Sequence, residues 1–263
     1  MFVFVLFSCS SNKKVYKKTP IDEFVTTYID EQNYSVILAD MDYKEEEDSY
    51  YHKYRILIEK PKTTVDSTTL SAPNYKAEDV VVKDTEWRKV SDVFFDDHVN
   101  NLGMTILSKK NGVLDKKTSP AGYDNYVGNE RYGRWENNTS GGGSFWAFYG
   151  QYHFLSSMFY GSSHRYYRGS YMDYDRNYRG SRGYYGSGRN QYGTNSSVTK
   201  GTANRWSGRS SAFKNKVRNS VKKSATITRS RSYNSNSKYS KTTRNSSRYS
   251  NSSSRSRAGG YGK

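Results

Sequence analysis

Residues 34–59 read YSVILADMDYKEEEDSYYHKYRILIE, and this stretch indicates the fold more clearly than any other part of the 263-residue chain. Its first ten and last ten residues are rich in aromatic and β-branched side chains, which favour strands. In the second of these segments Tyr54, Ile56 and Ile58 alternate, so they share one face. The acidic residues 45–48 separate the two segments. The pattern predicts two antiparallel strands, 34–43 and 50–59, joined by an acidic turn.

The residues before this hairpin predict a helix. Thr19 is followed by Pro20 and by two acidic residues, an order typical of a helix N-terminus. Apolar side chains then recur at helical spacing, at Ile21, Phe24, Val25, Tyr28 and Ile29. We expect this stripe to be buried.

The residues after the hairpin predict further strands at 80–82 and 86–90, followed by a second helix at 92–110. Ser91 is placed to cap that helix, and Gly112 to end it. Its expected buried stripe is Phe95, Val99, Leu102 and Ile106. Residues 19–118 are therefore predicted to form one small α+β module of two helices on a mostly antiparallel sheet.

Charge divides the chain into two unlike parts. Residues 1–150 carry 19 basic and 23 acidic side chains, whereas residues 151–263 carry 23 basic and 2 acidic ones, with no carboxylate side chain after Asp175. Hydrophobic residues make up 33% of the chain and the mean hydropathy is −0.98. This composition excludes a single large packed enzyme core and a polytopic membrane protein. The excess of positive charge indicates an anionic partner.

The N-terminus, MFVFVLFSCSSNKK, combines a short apolar run with the only cysteine of the chain. Leu6, Phe7, Ser8 and Cys9 resemble the lipobox of bacterial lipoproteins, with Leu three positions before the cysteine and a small residue directly before it. The apolar run is shorter than a usual signal peptide and lacks a preceding basic residue. The resemblance implies a signal peptide at 1–8, cleavage, and acylation of Cys9, with residues 9–18 as lipid anchor and tether. The alternative is an uncleaved start with a free thiol.

Residues 144–161, SFWAFYGQYHFLSSMFYG, form an aromatic segment that follows a Gly/Asn/Ser-rich linker predicted at 119–143. Its helical spacing predicts an amphipathic helix, too short to span a bilayer. The stripe that would form its membrane or packing surface is Phe148, Tyr152, Leu155 and Phe159. Two alternatives remain: the helix lies in the membrane interface, or it packs on protein.

Residues 162–263 are predicted to be a disordered tail, rich first in Tyr, Arg and Gly and then in Ser, Asn, Arg and Lys. Interleaved aromatic and cationic side chains suit sugars, bases or one another. Anionic lipid or envelope polysaccharide is the expected partner of this tail if Cys9 is lipidated. The alternative is a cytoplasmic nucleic-acid-binding protein, although no RNP1, KH or zinc-knuckle motif is present.

The sequence shows no arrangement typical of catalysis. The histidines lack metal-ligand spacing, and Asp96, Asp97 and His98 occupy different faces of a helix, which favours surface charge. Asp40 and Asp42 with the acidic turn lack the spacing and glycine of a calcium loop. We therefore expect no catalytic residue, no metal, no cofactor and no enzymatic activity.

Together these patterns predict an α+β envelope lipoprotein, lipid-anchored through Cys9, with a structural or adaptor role. The residue after the cysteine is Ser10 and not Asp, which by resemblance to other lipoproteins favours the periplasmic side of the outer membrane.

Overall fold

The computed structural model describes residues 18–60, 79–137, 143–187, 191–201, 209–217 and 219. Contacts divide the chain into a unit Met1–Val217 and a unit Arg218–Lys263. The elements below all belong to the first unit.

A seven-stranded antiparallel sheet is the frame of this unit. Its central order is β3-β2-β1-β5-β6, with β4 paired to β2 and β7 paired to β5. The strands are β1 Tyr34–Lys44, β2 Ser49–Glu59, β3 Val80–Asp84, β4 Arg88–Val90, β5 Met104–Lys110, β6 Val113–Asp115 and β7 Ser119–Pro120. With the helices described below, this confirms the predicted α+β class.

The predicted hairpin is confirmed. Strands β1 and β2 pair antiparallel in a register that runs from Tyr34 opposite Ile58 to Lys44 opposite Ser49. The acidic residues 45–48 form the turn between them. Tyr54, Ile56 and Ile58 are all buried. Strand-favouring side chains in both segments, with alternation in the second, were sufficient to define this part of the sheet.

Helix α1, Pro20–Thr27, begins where the sequence predicts. Thr19 and Asp22 form a reciprocal capping box, in which each side chain accepts a hydrogen bond from the other residue's backbone N–H. Phe24 is buried, and its ring lies edge-on to that of Tyr54, with 5.1 Å between centroids. Ile29 is 63% exposed, so its predicted burial is wrong. The helix ends at Thr27, and Ile29 follows in a bend outside the helix.

The predicted helix 92–110 is wrong beyond its first two turns. Helix α2, Asp92–His98, is capped by Ser91 as expected, but residues 104–110 form strand β5 against β1. Asn111 and Gly112 both have positive φ and form a two-residue hairpin turn between β5 and β6. Asn-Gly is a strong hairpin signal, and here it takes the place of the predicted helix end. The predicted stripe is buried, but only Phe95 lies in α2 and only Ile106 in β5. Its other two residues lie between the two elements.

The predicted linker 119–143 is wrong for its first half, which lies in the interior. Strand β7 is followed by tight turns whose side chains are almost all buried, and strand β8, Gly133–Glu136, comes next. Gly122 has a φ of 90°, and a Cβ there would lie 2.6 Å from the ring of Phe159. The glycines allow close packing against aromatic rings here; they do not mark a flexible link.

The aromatic segment 144–161 is not one helix. It forms strand β9 Phe145–Phe148, a 3₁₀ turn Gly150–Tyr152 and a short helix α3 His153–Phe159. Strand β9 pairs with β8 and with β10, Tyr166–Tyr167, in a separate three-stranded sheet. Pairing with two neighbours outweighs the helical spacing of the apolar residues.

The predicted disorder of residues 162–193 is also wrong for the residues described. After β10 the chain forms helix α4, Arg168–Asn177, and Tyr171, Tyr174, Tyr184 and Tyr192 are buried. Helix α5, Ser197–Gly201, and a helical segment at 211–217 follow. Tyrosine supplies the apolar area that the low hydropathy concealed. The predicted disorder of residues 220–263 lies outside the described residues.

Candidate functional site

The small sheet presents two different faces. Across its three strands, Trp135, Trp146 and Tyr166 lie side by side. Trp146 and Tyr166 are buried, and the rings of the two tryptophans are 5.0 Å apart. This row therefore attaches the sheet to the hydrophobic core.

The next row of side chains points the other way, because side chains alternate along each strand. It consists of Glu136, Phe145 and Tyr167. Tyr167 is 39% exposed. The guanidinium of Arg165 lies 4.9 Å from the centre of the Phe145 ring. The outer face of the small sheet is thus aromatic, with a cation stacked on it.

A shallow groove of about 490 Å³ lies at the edge of this outer face. It lies where the start of β9 meets the first turn of α4, at the ring of Tyr167. Its other lining residues are small or polar: Gly143, Ser144, Gly169, Ser170, Asp173 and Ser187. An aromatic ring beside hydroxyls and a carboxylate suits a ligand that has both apolar and hydrogen-bonding surfaces.

The predicted surface residues of the aromatic segment lie inside the unit. Tyr152, Leu155 and Phe159 are buried, and Phe148 is partly buried against the same cluster. The ring of Phe148 is 6.5 Å from that of Phe159. Their packing partners belong to this chain, so they contribute to its core and not to an exposed face.

The groove is positioned through a polar network that fixes residues 119–132 to the large sheet. The carboxylate of Asp124 is buried and accepts hydrogen bonds from the hydroxyls of Ser35 and Thr105. Burial raises the pKa of Asp124, while these hydrogen bonds oppose the rise. The amide of Asn125 donates to the carbonyl oxygens of Tyr34 and Lys109, which bridges strands β1 and β5.

Arg179 holds helix α4 onto the same loop. Its guanidinium donates to the backbone carbonyls of Asp124 at 2.8 Å and Tyr123 at 3.1 Å, and it pairs with Asp175 at 2.7 Å. Since α4 carries Gly169, Ser170 and Asp173 of the groove, these contacts set the position of one of its walls.

A second network connects the segments that flank β8 and β9 to the end of β2 and to the start of β3. Arg131 lies 3.9 Å from Glu59 and 3.4 Å from Asp79. The hydroxyls of Tyr132 and Tyr152 donate to the same two carboxylates. Burial raises the pKa of Glu59 and of Tyr132, and raises that of Tyr152 to about 12. Each buried charge here has an opposite charge or a hydroxyl beside it, as burial requires.

Asp40 and Asp42 bind a cation of this chain. The guanidinium of Arg209 pairs with Asp40 and lies 3.6 Å from Asp42. It also stacks 5.4 Å from the ring centre of Trp87. Phe213, one turn further on, is fully buried. These contacts fasten the helical segment 211–217 to the β1–β2 hairpin.

Three of the histidines lie in apolar surroundings: His52 is buried, and His98 and His164 are half-buried. Burial lowers the pKa of His52 to about 3 and that of His164 to about 4, and it also lowers the pKa of His98. His98 stacks on Phe94, so it does not form a surface cluster with Asp96 and Asp97. Within the described residues, no group of three histidine, cysteine or acidic side chains could hold a metal ion.

Cys9, the predicted lipid-attachment residue, and most of the basic tail lie outside the described residues. Among the helices in the described part of the chain, none has the length and apolar character needed to cross a bilayer.

No known protein family matches this chain, and no curated protein or solved structure resembles it significantly.

Sequence reasoning missed the groove, because its residues come from segments predicted as linker, helix and tail. The available signal was the pair Tyr166 and Tyr167, where two adjacent aromatics point to opposite faces if the segment is a strand.

Proposed function

We propose that this protein is a non-enzymatic lipoprotein of a bacterial envelope, anchored through Cys9, that binds anionic lipid or envelope polymer through its basic C-terminal residues. The observation that supports it most is the purely basic charge of the residues that follow the first unit. Residues 218–263 begin where the unit Met1–Val217 ends, and they carry twelve basic and no acidic side chains.

A basic segment of this kind acts through long-range attraction. Each lysine or arginine close to an anionic membrane surface contributes about 1 kcal/mol. The attraction extends over a Debye length of about 8 Å at physiological salt, so added salt weakens it. Binding through residues 218–263 is therefore expected to be strong at low ionic strength and to tolerate changes in residue order.

The N-terminal residues support an anchor at the opposite end of the chain. Leu6, Ser8 and Cys9 have the spacing that the lipobox resemblance requires. Two or more acyl chains give durable attachment, since each buried CH₂ contributes about 0.8 kcal/mol. In this proposal the unit that ends at Val217 links the anchor to the basic residues along the chain.

The anchor is tested by labelling cells that express the full chain with radioactive palmitate. We expect label in the intact protein and in a Ser11→Ala control, and its loss in Cys9→Ala. Native protein with Met1 retained, an unmodified thiol and copurifying RNA would refute the anchor and favour the nucleic-acid alternative.

The basic segment is tested by replacing the twelve lysines and arginines of residues 218–263 with glutamine in the full chain. We expect at least tenfold weaker binding to vesicles containing phosphatidylglycerol, and little binding of either protein to phosphatidylcholine alone. A control with the order of residues 218–263 scrambled keeps the charge and should bind like the original. Equal binding by the neutralised chain, or binding that salt does not weaken, would contradict the proposal.

A further inference from the structure

We propose that the groove beside Tyr167 binds an uncharged sugar unit of a surface glycan. This inference goes beyond the basic segment, because it assigns a second site within the unit Met1–Val217. It rests on the proposed function only in that an exported protein meets glycans.

The exposed ring of Tyr167 suits stacking against a sugar. It is 39% exposed at the rim of the groove, although its neighbour Tyr166 is buried in the core. The face of an aromatic ring is electron-rich and attracts the polarised C–H groups on one face of a pyranose. An exposed ring held by strand pairing with Phe145 is a rigid platform for such stacking.

The polar lining of the groove suits hydrogen bonds with sugar hydroxyls. Asp173 faces the groove together with the hydroxyl-bearing residues Ser144, Ser170 and Ser187. One carboxylate oxygen of Asp173 accepts a hydrogen bond from the Asn177 side chain at 2.9 Å, which orients the carboxylate. Sugar hydroxyls donate well to carboxylates, because hydrogen bonds to a charged acceptor are the stronger ones.

Two glycines of the groove have no atoms close to them on the side where a Cβ would lie. A Cβ added at Gly143 or at Gly169 would meet no atom within 4 Å. Both glycines therefore border open space, and the groove has a volume of about 490 Å³.

Charge favours an uncharged ligand in the groove itself. Asp173 repels phosphate and carboxylate groups, which disfavours a lipid headgroup or a nucleic-acid backbone at this position. Arg165 is stacked over Phe145, and Arg168 is exposed directly after Tyr167. These cations suit acidic substituents further along a glycan chain.

The site is tested with the full chain by affinity electrophoresis in 0.5 M NaCl. The gels contain one of four glycans: soluble dextran, mannan, fully acetylated chitin oligomers or solubilised peptidoglycan strands. Salt at this level suppresses attraction to the basic segment. We expect retardation by at least one of these glycans, weakened at least tenfold in Tyr167→Ala and in Gly169→Leu.

Gly169→Leu fills the groove from a helical position with open space, so it should not disturb folding. Gly150→Leu, at an equally open position outside the groove, is the matched control and should bind like the original. Retardation by none of the four glycans, or equal retardation of Tyr167→Ala and Gly169→Leu, would overturn the site. The site would also be overturned if the original chain binds poly(dT) and both variants lose this binding.

These outcomes are independent of the proposed function. Palmitate labelling and salt-sensitive vesicle binding can fail while glycan binding succeeds, and the reverse result is equally distinguishable.

Discussion

Tyrosine hydroxyls join separate elements inside this protein. Twelve tyrosines in the described part of the chain are buried. The hydroxyl of Tyr160 accepts the backbone N–H of Ala121 at 2.9 Å, and the hydroxyls of Tyr123 and Tyr192 lie 3.1 Å apart. These three rings thus add apolar area and a hydrogen bond, and the bond helps to decide which neighbour each ring packs against.

His52 makes the stability of the fold sensitive to acid. Burial, and to a smaller extent the charge of His98, lowers the pKa of His52 from 6.5 to about 3. The unfolded chain therefore binds a proton below pH 6.5, whereas the folded chain does not until far lower pH. We expect this group to lower the free energy of unfolding by about 2 kcal/mol between pH 7 and pH 5.

The measurement is urea unfolding of His52→Gln and of the original chain at pH 5, 6 and 7. The variant should lose less stability on acidification, because glutamine does not titrate and still offers Tyr54 a hydrogen bond. His153→Gln alters an exposed ring and should behave like the original. Identical pH dependence in His52→Gln and the original would show that His52 is not the group responsible.

At the scale of elements, the sequence predicts correctly those helices and strands whose formation depends on residues close together in the chain. The N-cap Thr19 of α1 and the alternation in β2 involve near neighbours in sequence, and both were predicted. Strand β5 was not, because Ile106 would be buried whether the segment is helix or strand. Pairing with β1, about seventy residues away in the chain, decides between the two.

Arg209 is expected to hold the helical segment 211–217 in place. Arg209→Met removes a cation that contacts Asp40 and Asp42, leaving two carboxylates close together. We expect hydrogen exchange in residues 211–217 to become at least tenfold faster, while β1 and β2 remain protected. Lys117→Met, which removes an exposed cation elsewhere, is the control. Unchanged exchange in the Arg209 variant would mean that the buried Phe213 and Val217 hold the segment without this cation.

At the scale of the whole molecule, composition concealed half of the core. Residues 119–143 and 162–187 are predicted as linker and tail because they are rich in glycine, serine, asparagine and arginine, and residues 144–161 as a helix because of their helical spacing. The structure places Ala121, Tyr126 and Tyr174 of this region in the interior. Hydropathy scales count tyrosine as nearly polar, so a core built largely from its rings is missed. Of the candidate sites, the groove depends on contacts between these segments and was beyond prediction.

The predicted module 19–118 is therefore not expected to fold alone. A chain that ends at Thr118 lacks Asn125, which bridges β1 and β5, and lacks most of the aromatic cluster. We expect it to show no cooperative urea transition, whereas a chain that ends at Val217 should retain one. Circular dichroism of both chains checks this. Similar urea midpoints for the two chains would show that residues 19–118 do fold alone.

The pair of indoles in the small sheet has an optical consequence. Trp135 and Trp146 lie 5.0 Å apart, and the ring of Tyr171 is 5.6 Å from Trp135. At such separations, light absorbed by the surrounding phenols passes to the indoles by resonance transfer before it is emitted. The tyrosines around these two rings should therefore emit little light of their own in the native protein, and their phenolic emission band should appear when the chain unfolds.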